Sequence, residues 1–201
     1  MHISEGVLAT PVLVGGAVLS TAGISVALKK LHNEDIPKVG VLSAGFFVAG
    51  LIHVPIGVAS VHLVLNGLVG LILGWLSFPA IFVGLLLQSI MFQYGGITAL
   101  GVNTFNMGVP ALGSYLLFGR LVTRTSKSYI SSASAFMAGS LAIFLSGIFV
   151  GISLYLTGEA FLPAAKIVVV GHIPVMLIEG IITAACISFL KKVKPELLSM
   201  T

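Results

Sequence analysis

This sequence contains few charged residues. Only 8% of its 201 residues are Asp, Glu, Lys or Arg, whereas 57% are hydrophobic. A soluble domain carries roughly 25% charged residues, so a chain of this composition does not cover a surface that faces water. The shortage of charge excludes a soluble globular protein and predicts an integral membrane protein in the lipid bilayer.

Several chemical motifs are also missing. The single cysteine, Cys186, excludes a disulfide framework within the chain. The sequence has no GxxxxGK(S/T) loop for nucleotide phosphates, no HExxH motif and no Ser, His and Asp set typical of a hydrolase. These absences argue against an enzyme and against ATP hydrolysis by this chain. The net charge of +4 does not indicate nucleic acid binding, because the basic residues lie in short clusters between apolar runs.

Long apolar runs occupy most of the chain. Seven of them approach the roughly 20 residues that a helix needs to cross a bilayer. They cover residues 7–28, 39–58, 60–76, 78–94, 107–120, 130–156 and 167–190. The more polar residues 97–106 are predicted to form a re-entrant or broken segment before the fifth helix. We therefore predict an all-α membrane protein, with residues 1–201 as one transmembrane domain.

Basic residues gather on one side of this predicted bundle. With seven spans, alternate loops face the same side of the membrane, and nine of the ten Lys and Arg residues then fall together. They are Lys29, Lys30, Lys38, Arg120, Arg124, Lys127, Lys191, Lys192 and Lys194. Only Lys166 falls on the other side. The positive-inside rule then predicts a cytoplasmic carboxyl terminus and an amino terminus outside the cell membrane.

The first six residues are the only markedly polar stretch before the first apolar run. His2 follows Met1 directly, and its bulk disfavours removal of the initiator methionine. The terminal amine, the deprotonated amide nitrogen of His2 and its imidazole Nδ1 can close adjacent five- and six-membered chelate rings on one ion. Nitrogen ligands in a square plane suit Ni²⁺ or Cu²⁺, rather than Mg²⁺, Ca²⁺ or tetrahedral Zn²⁺. The pattern alone leaves open an ordinary histidine on a frayed chain end.

The predicted topology brings most histidines to one level. His2, His53, His62 and His172 fall in the outer half of the membrane, whereas His32 lies in a cytoplasmic loop with a surface role. Ionisable side chains at membrane depth are costly and usually face a cavity or one another. The cluster indicates a metal site open to the outside. For His53 and His172, helix packing with a hydrogen-bond partner is an equally open interpretation, beside a place in the pocket lining.

Four other polar residues are candidates for supporting roles. Asn66 follows His62 by about one helical turn, so it could orient that imidazole. Asn103 and Asn106 lie in the polar stretch before the fifth helix and are predicted to hydrogen-bond the loop that closes the pocket. Glu5 is predicted to fix the amino-terminal segment, with attraction to a bound cation as a secondary effect.

Glu179 is the only acidic residue deep in a predicted span. It follows His172 by two helical turns, so the two residues share a face. We predict a protonated or hydrogen-bonded structural carboxylate, with a gating role as the alternative. A stand-alone channel or ion-coupled carrier would need acidic residues spaced along a path, so one deep carboxylate argues against that class.

Four blocks of the sequence resemble a known family. Residues 1–6 (MHISEG) are similar to the MHIPDG or MHIMEG start of the NikM/CbiM family, the substrate-binding (S) components of nickel and cobalt energy-coupling-factor transporters. Residues 60–68 (SVHLVLNGL) resemble its histidine segment. Residues 94–107 (YGGITALGVNTFNM) resemble its GGLTALGANVFNM block, and residues 172–183 (HIPVMLIEGIIT) its HxPxxxIEGxIT ending. The blocks occur in the family's order over nearly the whole chain.

The resemblance implies a fold and a metal site. The fold is a six-helix S-component core with one extra helix at the amino-terminal side. Residues 1–6 thread back into a pocket, where four nitrogens hold the ion in a square plane. Carried over residue by residue, these nitrogens are the Met1 amine, the His2 amide nitrogen, the His2 imidazole and the His62 imidazole. The SVHL-like segment is that of nickel-type members, so Ni²⁺ is favoured as the transported ion, with Co²⁺ as the alternative.

The resemblance also implies partners. A chain without a phosphate-binding loop takes its energy from other subunits. The family implies a transmembrane T-component, a pair of ATP-binding cassette ATPases and, often, a small auxiliary membrane subunit. Small residues along the first two predicted helices permit close contact with such partners, and internal helix packing explains them equally well.

Overall fold

A computed structural model of the chain describes residues 2–56 and 59–198, and among these the side chains of all but residues 53–61. The helices of this part are α1 (Thr10–Leu28), α2 (Ile36–Ala49), α3 (Asn66–Leu73), α4 (Ser77–Phe92), α5 (Leu100–Arg124), α6 (Ser128–Thr157), α7 (Leu162–Gly171) and α8 (Ile173–Val193). A hairpin pairs β1 (His53–Ile56) with β2 (Ala59–His62) in antiparallel register. Short turns of 3₁₀ helix lie at Asn33–Asp35, Gly74–Leu76, Glu159–Phe161 and Pro195–Leu198.

The helix α5 lies at the centre of the packing. It contacts α1, α3, α4 and α6, while α6 packs along α7 and α8, and α2 packs on α4. The short α3 is buried over nearly its whole length. Ile81, Met107 and Ile143, on α4, α5 and α6, are fully buried and mark the core. Elements from both halves of the chain therefore contribute to the same apolar cluster.

The outer surface of the bundle is apolar. Large hydrophobic side chains such as Val18 and Leu117 are each 61% exposed. Four helical stretches are long and apolar enough to cross a membrane: Thr10–Leu28, Asn66–Phe92, Ser128–Thr157 and Glu159–Val193. An apolar surface of this extent is unstable against water and stable against lipid. The chain is a multi-pass membrane protein, as its composition predicts.

The first, fourth and sixth predicted helices agree with α1, α4 and α6 to within a few residues. Between α2 and α3 the structure differs from the helices predicted over residues 39–58 and 60–76. α2 ends at Ala49, α3 begins at Asn66, and the hairpin lies between them. Pro55 has no N–H for a helical hydrogen bond, and β-branched residues are frequent on both sides of it. The fold is predominantly helical, with this hairpin in addition.

The fifth helix is longer than predicted. Residues 97–106 are predicted to be re-entrant or broken before a helix over 107–120, whereas α5 is continuous from Leu100. The polar side chains that suggested a break, Asn103 and Asn106, bond to partners outside the helix. Because these amides are satisfied by tertiary contacts, their polarity does not interrupt the helix.

The seventh predicted helix, over residues 167–190, is divided in two. α7 ends at Gly171 and α8 begins at Ile173, with His172 at the junction. Pro174 lies in the first turn of α8, where its missing N–H is not needed. Inside one continuous helix its ring would clash with the carbonyl of the preceding turn, so the proline accounts for the break.

Candidate metal site

The amino-terminal segment, residues 2–9, has fixed partners on α5 and α6. Ile3 is only 4% exposed. Its N–H donates to Asn103 Oδ1 at 3.0 Å, and its carbonyl accepts from Asn103 Nδ2 at 3.1 Å. The N–H of Ala9 donates to Thr157 Oγ1 at 3.3 Å. The segment is therefore docked into the bundle, unlike a frayed chain end.

The loop between α4 and α5 closes over this segment. Glu5 Oε1 accepts a hydrogen bond from the N–H of Thr98 at 3.2 Å. Gly95 and Gly96 have φ angles of +80° and +86°, a region that favours glycine. A Cβ on Gly95 would lie 3.4 Å from the Cβ of His2, and one on Gly96 would lie 2.7 Å from the Cβ of Glu5. Both the backbone and the space require glycine here.

The His2 imidazole is held by a side chain of α4. Its Nε2 lies 2.8 Å from Oε1 of Gln88, which is 1% exposed, and the ring centroid of Tyr94 lies 6.2 Å away. Burial lowers the pKa of His2 to about 3, although the hydrogen bond to Gln88 acts in the opposite direction. The ring is therefore neutral at physiological pH, which is the form that binds a metal.

His62 ends strand β2, directly opposite His53 in the hairpin register. Its Nδ1 lies 2.9 Å from the carbonyl oxygen of Leu63. Because a carbonyl only accepts hydrogen bonds, Nδ1 carries the proton, and in the neutral ring Nε2 has the lone pair. The N–H of Leu63 donates to the carbonyl of Ile52 at 3.1 Å, which ties the end of the hairpin to its beginning.

The fold brings these two imidazoles together from distant parts of the chain. The ring centroids of His2 and His62 lie 4.7 Å apart, with an interplanar angle of 28°. With metal–nitrogen bonds of about 2 Å, imidazoles on adjacent corners of a square plane have centroids roughly 4.5 Å apart. The described side chains form no group of three or more His, Cys, Asp and Glu around one point.

The turn after His62 is fixed by a buried carboxylate from α8. Glu179 is 1% exposed and accepts hydrogen bonds from the N–H groups of Val64 and Leu65, with Leu65 at 3.1 Å from Oε1 and 3.0 Å from Oε2. Leu65 has a φ of +58° and immediately precedes α3. A negative charge is favourable at a helix amino terminus. Glu179 thus has a hydrogen-bonded structural position beside the segment that carries His62.

Two of the predicted supporting residues contact other parts of the fold. The amide nitrogen of Asn66 donates to the carbonyl of Met107 at 3.2 Å and to Ser146 Oγ at 2.9 Å. Asn106 exchanges hydrogen bonds with Ser153. Both asparagines therefore join α3, α5 and α6 in the core. These contacts differ from the predicted ones. Asn66 was predicted to orient His62, and Asn106 was predicted to bond a loop that closes the pocket.

His172 lies at the junction of α7 and α8. It is 5% exposed, and its Nδ1 lies 2.6 Å from the carbonyl of Val168. Its Nε2 is buried without a hydrogen-bond partner in the part of the chain that the structure describes. This geometry is that of a helix-packing histidine. The amine of Met1 and the side chain of His53 lie outside the described residues.

Sequence reasoning missed Gln88. The residue lies in an otherwise apolar stretch of α4, yet it reaches both His2 and the main-chain carbonyl of Phe47. The sequence does indicate that Gln88 has hydrogen-bond partners, because a side-chain amide inside an apolar helix is costly without them. Nothing in the sequence indicates which partners it has, since those partners lie on other segments.

These features define a class of protein. An apolar helical bundle holds two imidazoles, those of His2 and His62, beside the docked segment of residues 2–9. The crystal structure of a transition metal transporter has the same fold, with a TM-score of 0.77 and 26% identity over 96% of this chain and 93% of that one. The protein is a membrane metal transport protein, and its family is not one of enzymes.

The family follows from the sequence comparison. The model of the CbiM family, the cobalt uptake substrate-specific transmembrane region, matches residues 2–197, and this chain belongs to that family. A Haemophilus influenzae protein named for metal transport is 42% identical over 100% of this chain and 98% of its own length. The cobalt transport protein CbiM of Sorangium cellulosum is 29% identical over 98% and 94%. The fused nickel transport protein NikMN of Rhodobacter capsulatus is 29% identical over 99% and 64%. The predicted membership of the NikM/CbiM family is confirmed.

Proposed function

We propose that this protein is the substrate-binding component of an ATP-driven transition-metal importer and that it captures Ni²⁺ from outside the cell. The observation that carries this proposal is the 4.7 Å separation of the His2 and His62 rings. That pair lies beside the docked segment of residues 2–9, whose hydrogen bonds to Asn103 and Thr157 support a ligand role for the amino terminus. Such a site suits a borderline ion that prefers nitrogen ligands.

The proposed ligands are four nitrogens in a square plane. They are the Met1 amine, the deprotonated His2 amide, His2 Nδ1 and the imidazole of His62. The contacts of the rings support this set. Nδ1 of His62 donates to the carbonyl of Leu63, so in the neutral ring Nε2 has the lone pair that a ligand requires. A square plane of nitrogens favours Ni²⁺ over ions that prefer octahedral oxygen ligands. Co²⁺ is the second candidate, because relatives named for cobalt and for nickel both match the chain.

The proposed topology has seven spans, with the amino terminus outside. In this count α3 with its preceding hairpin is one span, and α7 with α8 is another. Two contacts support the grouping of the basic clusters on one side. Lys191 donates to the carbonyls of Val122 and Thr125 at the end of α5, and Lys30 lies over the ring of Trp75 at the turn between α3 and α4.

The proposed energy source is a set of partner subunits. The sequence has no loop for nucleotide phosphates, so an inward step against a gradient needs a T-component and a pair of ATP-binding cassette ATPases, with or without a small auxiliary membrane subunit. The exposed apolar face of α1 is one surface where a membrane partner could pack.

The test is metal binding by the purified protein with its native, free amino terminus. We expect tight retention of about one Ni²⁺ per chain, weaker retention of Co²⁺, and loss of Ni²⁺ in His2→Ala and His62→Ala. A short extension before Met1 removes the terminal amine and should have the same effect. His32→Ala is the matched control, because the His32 side chain is 68% exposed and pairs with Asp35.

The outcomes separate the candidates. Equal or tighter Co²⁺ binding would change the assignment to cobalt uptake. Ni²⁺ binding that survives both histidine substitutions and the amino-terminal extension would overturn the proposed ligand set. It would favour a carrier or channel whose site lies elsewhere in the bundle.

A further inference from the structure

Gln88 joins two segments from different parts of the chain, the amino-terminal segment and α2. It lies on α4 and is 1% exposed. Its amide nitrogen donates to the carbonyl of Phe47 at 3.1 Å, and its amide oxygen lies 2.8 Å from Nε2 of His2. A buried side-chain amide with both ends bonded has one orientation, because reversing it would set like groups against each other.

The partners of Gln88 determine which way the amide faces. The Phe47 carbonyl can only accept a hydrogen bond, so the amide nitrogen of Gln88 must face it. The amide oxygen then faces His2. That oxygen can also only accept, so Nε2 of His2 must carry the ring proton. In the neutral imidazole this leaves Nδ1 with the lone pair.

The backbone around Gln88 is shaped to allow this contact. Gly50, at the end of α2, lies directly against the amide nitrogen of Gln88, and a Cβ on Gly50 would overlap that atom. The close approach places the amide beside the carbonyl of Phe47, one turn earlier in α2. A glycine on one helix and a glutamine on another thus act together on the imidazole of a third segment.

We infer that Gln88 is a positioning residue that holds His2 with its proton on Nε2 and its Nδ1 lone pair toward the ion. The inference rests on the proposed function. Nδ1 is the only ring nitrogen that can close a six-membered chelate ring with the amide nitrogen of the same residue. A hydrogen bond from the other ring nitrogen to a fixed acceptor orients a ligand histidine and raises its basicity. Gln88 supplies that acceptor.

The ring proton of His2 lies on the opposite nitrogen from that of His62. On His62 the Nδ1–H donates to the carbonyl of Leu63, so in the neutral ring Nε2 has the lone pair. On His2 the Nε2–H donates to the amide oxygen of Gln88, so in the neutral ring Nδ1 has the lone pair. The two acceptors thus give opposite tautomers to two rings whose centroids are 4.7 Å apart. One side chain and one main-chain carbonyl prepare both ligands before an ion enters.

The decisive measurement is ¹⁵N NMR of the metal-free protein with labelled histidine, because the ¹⁵N shifts of Nδ1 and Nε2 report the tautomer. The signal of His2 is assigned by its absence in His2→Ala. We expect His2 of the unsubstituted protein to be protonated on Nε2 alone. Protonation on Nδ1 would overturn the inference without any variant.

Two substitutions then link the tautomer to metal binding. Gln88→Met removes the acceptor at similar volume, and we expect a mixed or mobile His2 signal and Ni²⁺ affinity lower by about tenfold to a hundredfold. Gln88→Glu, when protonated, can donate to Phe47 and accept from His2, so it should restore most of the affinity. Gln93→Met is the control, because Gln93 is exposed.

The readouts distinguish this inference from the proposed function. If the unsubstituted protein does not bind Ni²⁺, or His62→Ala still binds it, the proposed function fails whatever Gln88 does. If Ni²⁺ binding depends on His2 and His62 but Gln88→Met keeps full affinity, only the positioning role fails. Loss of affinity with an unchanged His2 tautomer and ring order would also overturn it, because Gln88 would then be an ordinary packing residue.

Discussion

The side chain of Asn103 pairs with the main chain of Ile3 as a neighbouring strand would. Oδ1 accepts from the N–H of Ile3, Nδ2 donates to its carbonyl, and both residues are buried. Ile3 directly follows His2, so this pair sets the depth at which the amino terminus enters the bundle. The relationship links α5 to the segment that carries the proposed ligand His2.

Asn103→Ala should release the amino-terminal segment. Both hydrogen bonds are lost and the main-chain groups of Ile3 are left buried without partners, which costs about 1–3 kcal/mol for each unsatisfied group. We expect Ni²⁺ affinity to fall by about tenfold or more and hydrogen exchange of residues 2–8 to rise. Competition with a chromophoric chelator measures the affinity. Asn106→Ala is the control, because it removes a buried amide from the same helix away from Ile3. It should leave the hydrogen exchange of residues 2–8 unchanged. Faster exchange in both variants would contradict the role of Asn103 in holding this segment.

Gly95→Ala should weaken the site through the closing loop. At a φ of +80° an added Cβ strains the backbone, and it would lie 2.8 Å from Nδ2 of Asn103 and 3.4 Å from the Cβ of His2. We expect a thermal midpoint lower by several degrees and weaker Ni²⁺ binding. Gly113→Ala is the matched control, because no atom lies within 4 Å of its added Cβ. Inside α5 that change should be neutral or stabilising by about 0.5–1 kcal/mol; equal losses in both variants would refute the argument.

Glu179→Leu should destabilise the turn that carries His62. The N–H groups of Val64 and Leu65 would lose their acceptor in a buried place, lowering the free energy of unfolding by roughly 2–5 kcal/mol. Glu179→Gln keeps one acceptor oxygen and should cost less. Thermal unfolding followed by tryptophan fluorescence gives the comparison. Glu159→Leu, at an exposed acidic residue, should have little effect, and a stable Glu179→Leu protein would show that the carboxylate is not required there.

Acidification should weaken the docking of the amino terminus. Burial lowers the pKa of His2 to about 3, whereas a released imidazole has an ordinary pKa of about 6.5. The docking of the amino-terminal segment is therefore most stable above about pH 6.5. As the pH falls from there toward 3, the equilibrium constant for docking falls by about tenfold for each pH unit. Hydrogen exchange of residues 2–8, corrected for the intrinsic pH effect, measures this. His2→Gln should abolish the dependence; the same slope in that variant would assign it to another group.

Thiol labelling should decide the orientation. Since Cys186 is the only cysteine, Cys186→Ala gives a background in which single cysteines can be introduced. An impermeant reagent on intact cells should label Glu159→Cys and not Ser126→Cys, since both positions are exposed but lie on opposite sides of the proposed topology. Both should react after permeabilisation. The reverse pattern would place the amino terminus inside, and labelling of both in intact cells would contradict the seven-span count.

The helix boundaries show where local sequence is sufficient. α1, α4 and α6 are long apolar runs bounded by polar residues, so length and hydropathy predict them. The hairpin from His53 to His62 and the break at His172 are less visible, because one apolar composition suits a helix, a strand and a junction between two helices. Pro55 and Pro174 were the local signals for both departures. Asn103 and Asn106 suggested a break in α5, because their partners lie far along the chain.

Some features of the candidate site likewise follow from the sequence, and others only from the tertiary structure. The sequence by itself determined that the protein lies in a membrane, because 8% charged residues cannot cover a water-facing surface. It also predicted a nitrogen ligand at His2, in the only markedly polar stretch before the first apolar run. Only the tertiary structure decided that His62 lies beside it, that Gln88 sets the tautomer of His2, and that Glu179 holds the turn after His62. Those contacts join residues far apart in the chain, and hydrogen-bond partners across such distances follow from helix packing rather than from any local pattern of residues.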